Sequence, residues 1–518
     1  MDEKTARELV AEVLVLRNNG KWREEDNELV RSGAVLNSQV GGSDIRERAA
    51  ELRAMAPGPM LLQSDTERGT GFAKDGTALP PLMALGAAGS EDLAYAWGHA
   101  IGLEGRRVGL DVTWSPVLDV NTNPDNPIIN VRSFGEDATE VARLGAAVVR
   151  GFNDAGLHCA AKHWPGHGDV AVDSHIALAH LSCSRERLDA VEWLPYRAAA
   201  KAGLVSAMTG HLLVPSIDPD NCTTVSPDMI AILKNELGVT GPIFTDSLGM
   251  EGLRTTLDST EAAWRAIVAG HDQVLVDYKR PPQESVEAVV AACMDGRVPE
   301  ERLREAVAMI RALKQSRAAL PPLPPDAEIA EEMIDVGQRI AEASVTGWNW
   351  KDTMPDLGSA PLVIICDDLK RCGIGIADEE LEGSLAGLHP AAAVIQSALD
   401  CEAVVLDEVP PADKVEKVLA KAAKATGVVG ITFSRISCYK GDGTRLPTAQ
   451  LGLWQQLHQN QQLQAMMVFE SPYALADLPA GLPAVVGYGG DAFTIDAAVK
   501  AFFGQIPCNG KLPVTVGS

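Results

Sequence analysis

Eight short apolar runs alternate with helix-like segments through the first 280 residues, and this alternation restricts the fold more than any other feature of the chain. The runs are residues 13–16, 33–36, 59–63, 112–117, 158–163, 204–209, 242–245 and 273–276, each flanked by turn-forming residues. Residues 45–55, 90–103, 139–153, 185–202, 227–237 and 261–269 have helical character and lie between most of them. Strand–helix repeats build parallel sheets, and eight at this length predict an α/β chain with a (β/α)8 barrel. A doubly wound open sheet is the alternative.

The polar residues beside the runs follow the same logic. Asp65 ends the third run, Asp119 follows the fourth, Lys162 and His163 end the fifth, His211 follows the sixth, Asp246 the seventh, and Asp272 adjoins the last. The C-terminal ends of barrel strands converge on one mouth, so these residues are expected to share a site.

After a helical stretch at 300–317, the segment ALPPLPPDAE (319–328) holds four prolines in two pairs and predicts a stiff, extended linker. The expected division is a catalytic barrel over 1–318, a linker and connecting helix over 319–350, and a smaller α/β sandwich with a parallel sheet over 351–518. The last segment again alternates apolar runs (PLVIICDD, EAVVLDE, GVVGITFS, AMMVFESPYAL, AVVGYGG) with helix-like stretches. It has neither a GxGxxG before a helix nor a phosphate loop, so no nucleotide site is expected there.

With 45 Lys and Arg against 70 Asp and Glu, the net charge of -25 argues against nucleic acid or an anionic membrane as a partner. Nine cysteines without CxxC spacing fit neither a disulfide framework nor a zinc ribbon. No stretch approaches the ~20 apolar residues of a membrane span, and the opening MDEKTARELVAEVLVLRNNG lacks the basic start and apolar core of a secretory signal. The expectation is a cytoplasmic protein with reduced thiols. Its oligomeric state is open, a homo-oligomer included.

The stretch AKHWPGHGDVAVDSHIALAH (161–180) concentrates four histidines, two aspartates and a lysine. His163 and His167 are four apart, but Pro165, Gly166 and Gly168 exclude the helix that would put both on one face for a metal, and HExxH is absent from the chain. His158 and His180 read as solvated or backbone-bonded. Asp173 beside His175 suits an acid/base pair, in which a carboxylate fixes the imidazole tautomer and supports the imidazolium. Ser174 lies in no nucleophile elbow.

KHWPGHGDVAVDSH (162–175) resembles the KH(F/S)PGHG…DSH pattern of glycoside hydrolase family 3, in its bacterial β-N-acetylglucosaminidase branch. GPIFTDSLGMEGL (241–253) is similar to that family's nucleophile segment, and WSPVLDVNTNPDNPIINVRSFGED (114–137), GHLLVPSIDPD, VFESPYALADLP and GKLPVTV extend the resemblance nearly end to end. The resemblance implies Asp246 as nucleophile, His175 as acid/base and Asp173 as its partner. It implies Asp65, Arg132, Lys162 and His163 around the hydroxyls of the −1 sugar, with His211 and Met250 as further pocket residues.

It also implies a retaining, exo-acting β-N-acetylhexosaminidase acting on a small carbohydrate substrate without metal or organic cofactor. The alternatives are a β-glycoside phosphorylase, a β-glucosidase drawing its acid from the second domain, with Glu470 as candidate, or a weakly active sugar-binding relative. The family's third-strand DQEGGR-like segment is SDTERGTG here (64–71): Asp65 and Glu67 keep their places, Arg68 replaces a glycine, and Ala73 stands where a further arginine falls. His271 replaces a smaller residue.

Overall fold

Each of the eight apolar runs carries a strand in the computed structural model, which describes residues 1–17, 33–35, 45–71, 73, 76–351, 353–370, 389–436 and 444–517. The end of the second run, Leu36, lies outside the described residues. The strands are β1 (Leu14–Arg17), β2 (Gly33–Val35), β3 (Leu61–Ser64), β4 (Val112–Thr113), β5 (His158–Trp164), β6 (Ser206–Thr209), β7 (Ile243–Thr245) and β8 (Val274–Leu275). They pair in parallel in chain order, and β8 pairs with β1. A parallel bridge from Phe244 to Gln273 brings β7 to the start of β8 and completes the circuit. β4 is shorter than its run because Pro116 has no amide to extend the ladder, although Leu118 N–H still donates to Lys162 O at 2.7 Å.

The barrel is a packed core. One residue from every strand (Val15, Val35, Leu61, Val112, Ala160, Met208, Phe244 and Leu275) joins Trp114, Ile310 and Leu313 in a single buried cluster. Burying each large aliphatic side chain stabilises the fold by about 1.5–3 kcal/mol. Gln63 Nε2 donates to Gln273 Oε1 at 2.8 Å, a buried amide pair spanning the barrel.

Outside the strands, the helix Ala138–Ala155 starts at Asp137, whose carboxylate accepts the Thr139 and Glu140 amides, and stops at Gly156, which has a left-handed φ of 74°. It lies close against the helix Glu91–Arg107. A Cβ on Gly98 would fall 2.4 Å from Val148 O, and one on Gly151 2.2 Å from Tyr95 O.

The described chain forms two compact units. The first comprises Met1–Ala78, Glu91–Asn126 and Asp137–Val336; the second comprises Leu79–Ser90, Pro127–Glu136 and Gly337–Ser518. The second contains a six-stranded sheet of β9 (Thr346–Trp348), β10 (Pro361–Asp367), β11 (Glu402–Asp407), β12 (Gly427–Ser434), β13 (Leu463–Glu470) and β14 (Ala484–Gly487). Its order is β9-β14-β13-β12-β10-β11.

Every pairing in this sheet is parallel except that of β9, which runs antiparallel to β14. The fully parallel sheet expected from sequence is corrected at this edge. β9 is a three-residue strand whose Thr-Gly-Trp sequence carries no apolar run to announce it. By contrast β10 and β12 are buried along their whole length, as central parallel strands are.

No described helix is long and apolar enough to cross a membrane. No disulfide joins the seven cysteines among the described residues; Cys372 and Cys438 lie outside them.

Candidate active site

β5 carries Lys162 and His163 to the C-terminal rim of the barrel, and both are buried there. A buried ammonium needs carboxylate partners. Lys162 has two, Asp65 just beyond β3 and Glu67 Oε1 at 2.6 Å, the latter on a short strand, Glu67–Thr70. The Asp65 side chain remains 59% exposed, so its carboxylate is held at the rim but not enclosed.

His163 is fixed by Asp119, which is fully buried beyond β4. Asp119 Oδ2 accepts His163 Nδ1–H at 2.7 Å, while Oδ1 accepts the His163 amide at 3.2 Å and the His167 amide at 2.6 Å. Burial works to raise the Asp119 carboxyl, but the neighbouring His163 and His167 outweigh it and hold it below the usual carboxylate range.

The turn that follows β5 leads to the acid/base candidates. His167 O accepts Asn126 Nδ2–H at 2.7 Å, and His167 Nε2 lies 2.8 Å from Ser174 Oγ. Asp173 is buried and accepts both the amide and Nδ1–H of His175 through Oδ1, each at 2.8 Å. The His175 ring keeps partial solvent access, with 20% of its side chain exposed. The structure thus brings the expected dyad together, and ties Ser174 to an imidazole.

Asp246 follows β7 and is half-buried. Its amide donates to Thr209 O at 3.0 Å, and its Oδ1 accepts the Ser247 amide at 2.7 Å. Desolvation works to raise its carboxyl, but the positive influence of His211, His163, His175 and Lys162 outweighs it, leaving Asp246 below the usual carboxylate range. His211 is buried; its Nε2–H donates to Ser247 O at 2.8 Å and its Nδ1 accepts from Thr224 Oγ1 at 2.7 Å. Burial lowers its pKa in spite of Asp246, and the ring braces the loop behind the carboxylate. Met250 is buried on that same loop, its amide donating to Ser247 O.

Expectations change at Asp272 and His158. Arg132 belongs to the second compact unit, where it ends the turn Asn130–Arg132 and donates to Ile128 O at 3.1 Å. Asp272 precedes β8 and so lies at the opposite end of that strand from the mouth; there it is buried and paired with Arg302 at 2.5 Å and Lys234 at 3.3 Å. His158 binds a side chain, Ser206 Oγ at 2.9 Å, and burial pushes it down to about 3. His271 is a core residue between Thr209 Oγ1 and Ala266 O, likewise pushed down to about 3 by burial. Among the described residues, no three His, Cys, Asp or Glu side chains converge as a metal site requires.

Glu67 and Asp119 carry more of the site than the sequence suggested. Asp119 stood out only as one strand-end residue among several. Glu67 had as its signal only its place beside Asp65 after the third run.

The profile of the glycosyl hydrolase family 3 N terminal domain matches residues 8–313. The chain belongs to this family. A relative from Cellulomonas fimi, a beta-N-acetylglucosaminidase/beta-glucosidase, is 33% identical over 296 residues, covering 55% of this chain and 52% of its own length. The chain thus spans about half the length of that relative. The beta-hexosaminidase of Xylella fastidiosa strain M12 is 32% identical over 278 residues, covering 52% of this chain and 82% of the relative. Among solved structures, a glycoside hydrolase family 3 beta-N-acetylglucosaminidase from Paenibacillus sp. str. FPU-7 superposes with a TM-score of 0.86 at 28% identity, covering 98% of both chains. This family 3 chain therefore has the fold of that enzyme along nearly its whole length.

Proposed function

We propose that the chain is a retaining, exo-acting β-N-acetylglucosaminidase (β-N-acetylhexosaminidase) that removes a terminal β-linked N-acetyl sugar. The observation that carries this reading is the buried Asp173 carboxylate on His175 Nδ1, in a barrel whose Asp246 lies below the usual carboxylate range under the influence of the same imidazole. The names of the relatives from Cellulomonas, Xylella and Paenibacillus support the substrate class.

With Nδ1 engaged, Nε2 is the atom of His175 that exchanges a proton with substrate. Asp246, ionised at neutral pH, attacks the anomeric carbon. The bond to the leaving oxygen breaks, and that oxygen takes its electron pair and the proton from His175 Nε2. In the second step the neutral imidazole takes a proton from water as the water oxygen displaces Asp246, and the sugar leaves with its β configuration retained. Asp173 orients the ring and supports the imidazolium. Asp65, Lys162 and His163 bind hydroxyls of the −1 sugar.

The test is p-nitrophenol release from aryl β-N-acetylglucosaminide and aryl β-glucoside, each with and without phosphate, with Asp246→Ala as the blank. A phosphate-independent rate on the N-acetyl sugar, lost in the variant, is expected. Formation of sugar 1-phosphate only with phosphate would make the chain a phosphorylase. A rate confined to the glucoside would make it a β-glucosidase, and none above the blank would leave a sugar-binding relative.

A further inference from the structure

The segment that carries His175 is mostly exposed. Ala171, Val172 and Ile176 face solvent, and between them only Asp173 and Ser174 are buried. Asp173 bonds the ring and amide of His175, two residues on, and so orients the imidazole. The links from Ser174 run outward in two directions. Its hydroxyl meets His167 Nε2 at 2.8 Å, and its carbonyl accepts the Gly252 amide at 3.0 Å.

The two anchors belong to the two halves of the site. Gly252 lies in the helical turn Glu251–Arg254 that follows the nucleophile loop. His167 hangs by its amide from Asp119 Oδ1, and the other oxygen of that carboxylate holds His163. One buried carboxylate therefore sets the −1 sugar grip and the His167 ring in a fixed relation, and Ser174 transmits that relation to the residue next to it.

We infer that Ser174 is a positioning residue for proton transfer, locating His175 between the Asp119–His167 frame and the nucleophile loop. The inference rests on the acid/base reading of His175. A misplacement near 1 Å costs on the order of a hundredfold in rate when it falls on a reacting group. The effect of losing Ser174 must therefore scale with how much protonation the leaving group needs.

The experiment measures kcat and KM for wild type, Ser174→Ala, Ser174→Thr, Gly252→Ala and His175→Ala on aryl β-N-acetylglucosaminides spanning a range of leaving-group pKa. Ser174→Ala is expected to lose about tenfold or more in kcat on the poorest leaving groups and under about threefold on the best, with KM within about twofold. Ser174→Thr, which keeps the hydroxyl, restores the wild-type slope. Gly252→Ala reproduces the steeper slope without touching Ser174, because the added Cβ would meet Ser174 O at 2.4 Å and Ala177 O at 2.9 Å. It also serves as the deciding variant if Ser174→Ala does not fold.

A uniform loss across leaving groups, or none, overturns the inference while His175→Ala still shows a steep dependence. If His175→Ala shows no dependence either, the acid/base reading has failed, and the role of Ser174 falls with it.

Discussion

At the rim of the barrel, Asp65, Asp246 and His175 are held by neighbours yet keep solvent access. At the C-terminal ends of the second sheet, another set of titratable groups is buried among charged partners. Arg435 donates to Asp367 through Nε at 2.7 Å and Nη2 at 2.8 Å, and to Glu470 through Nη1 at 3.2 Å. His389 Nδ1 accepts the Ala391 amide, so its Nε2–H donates to Asp367 at 3.2 Å.

Asp367, His389 and Glu470 are all but inaccessible. Both clusters occupy the position where α/β sheets place ligands. A strand-end carboxylate is available for chemistry only when its partners leave it a face toward solvent, and Glu470, the alternative acid of the second unit, has its charge met from within.

The contrast is broken most severely if Asp246→Ala keeps activity. The expected loss in kcat/KM on an aryl N-acetylglucosaminide is about a thousandfold or more, since the covalent route disappears. His175→Ala comes next, losing about a hundredfold or more on alkyl or sugar leaving groups but much less on nitrophenol, which needs little protonation. Asp173→Ala should lower kcat by about tenfold to a hundredfold with KM little changed, because it removes the orienting partner and leaves the sugar contacts.

The acid limb of kcat/KM, measured in His175→Ala so that the imidazole does not contribute, should fall below about pH 4, the ordinary carboxylate range. Asp246 is depressed in the folded protein, so the ionised form it needs persists above that point and is lost as pH falls through its folded value. Asp119, depressed as well, should withdraw stability over the same descent, visible as a falling Tm. Smallest in activity is Glu470→Gln. It should leave kcat/KM within about threefold and cost roughly 1–3 kcal/mol in stability by urea unfolding, as a buried charged hydrogen bond is weakened.

Much of this was legible in sequence because the barrel repeats one local rule eight times. The runs, the strand-end polar residues and the adjacent Asp173–His175 pair all lie within short windows. What escaped depends on distance along the chain. Asp119 meets its two histidines across 44 and 48 residues, and nothing near it distinguishes a hub from any strand-end aspartate. Asp272 was misjudged for a different reason: it stands before its run, and a parallel barrel opens after the runs. The residue after β8 that shares the mouth's polarity is Asp277, buried on Ser259 and Arg254. The antiparallel β9 was invisible because three residues carry no periodicity.

The meeting of Gly98 with Val148 and of Gly151 with Tyr95 means that these two helices touch backbone to backbone. In a saturation library of the chain, both positions should therefore be purged of every residue but glycine, alanine included. Two solvent-remote sites outside the candidate active site would then show a selection as strict as that on Asp246.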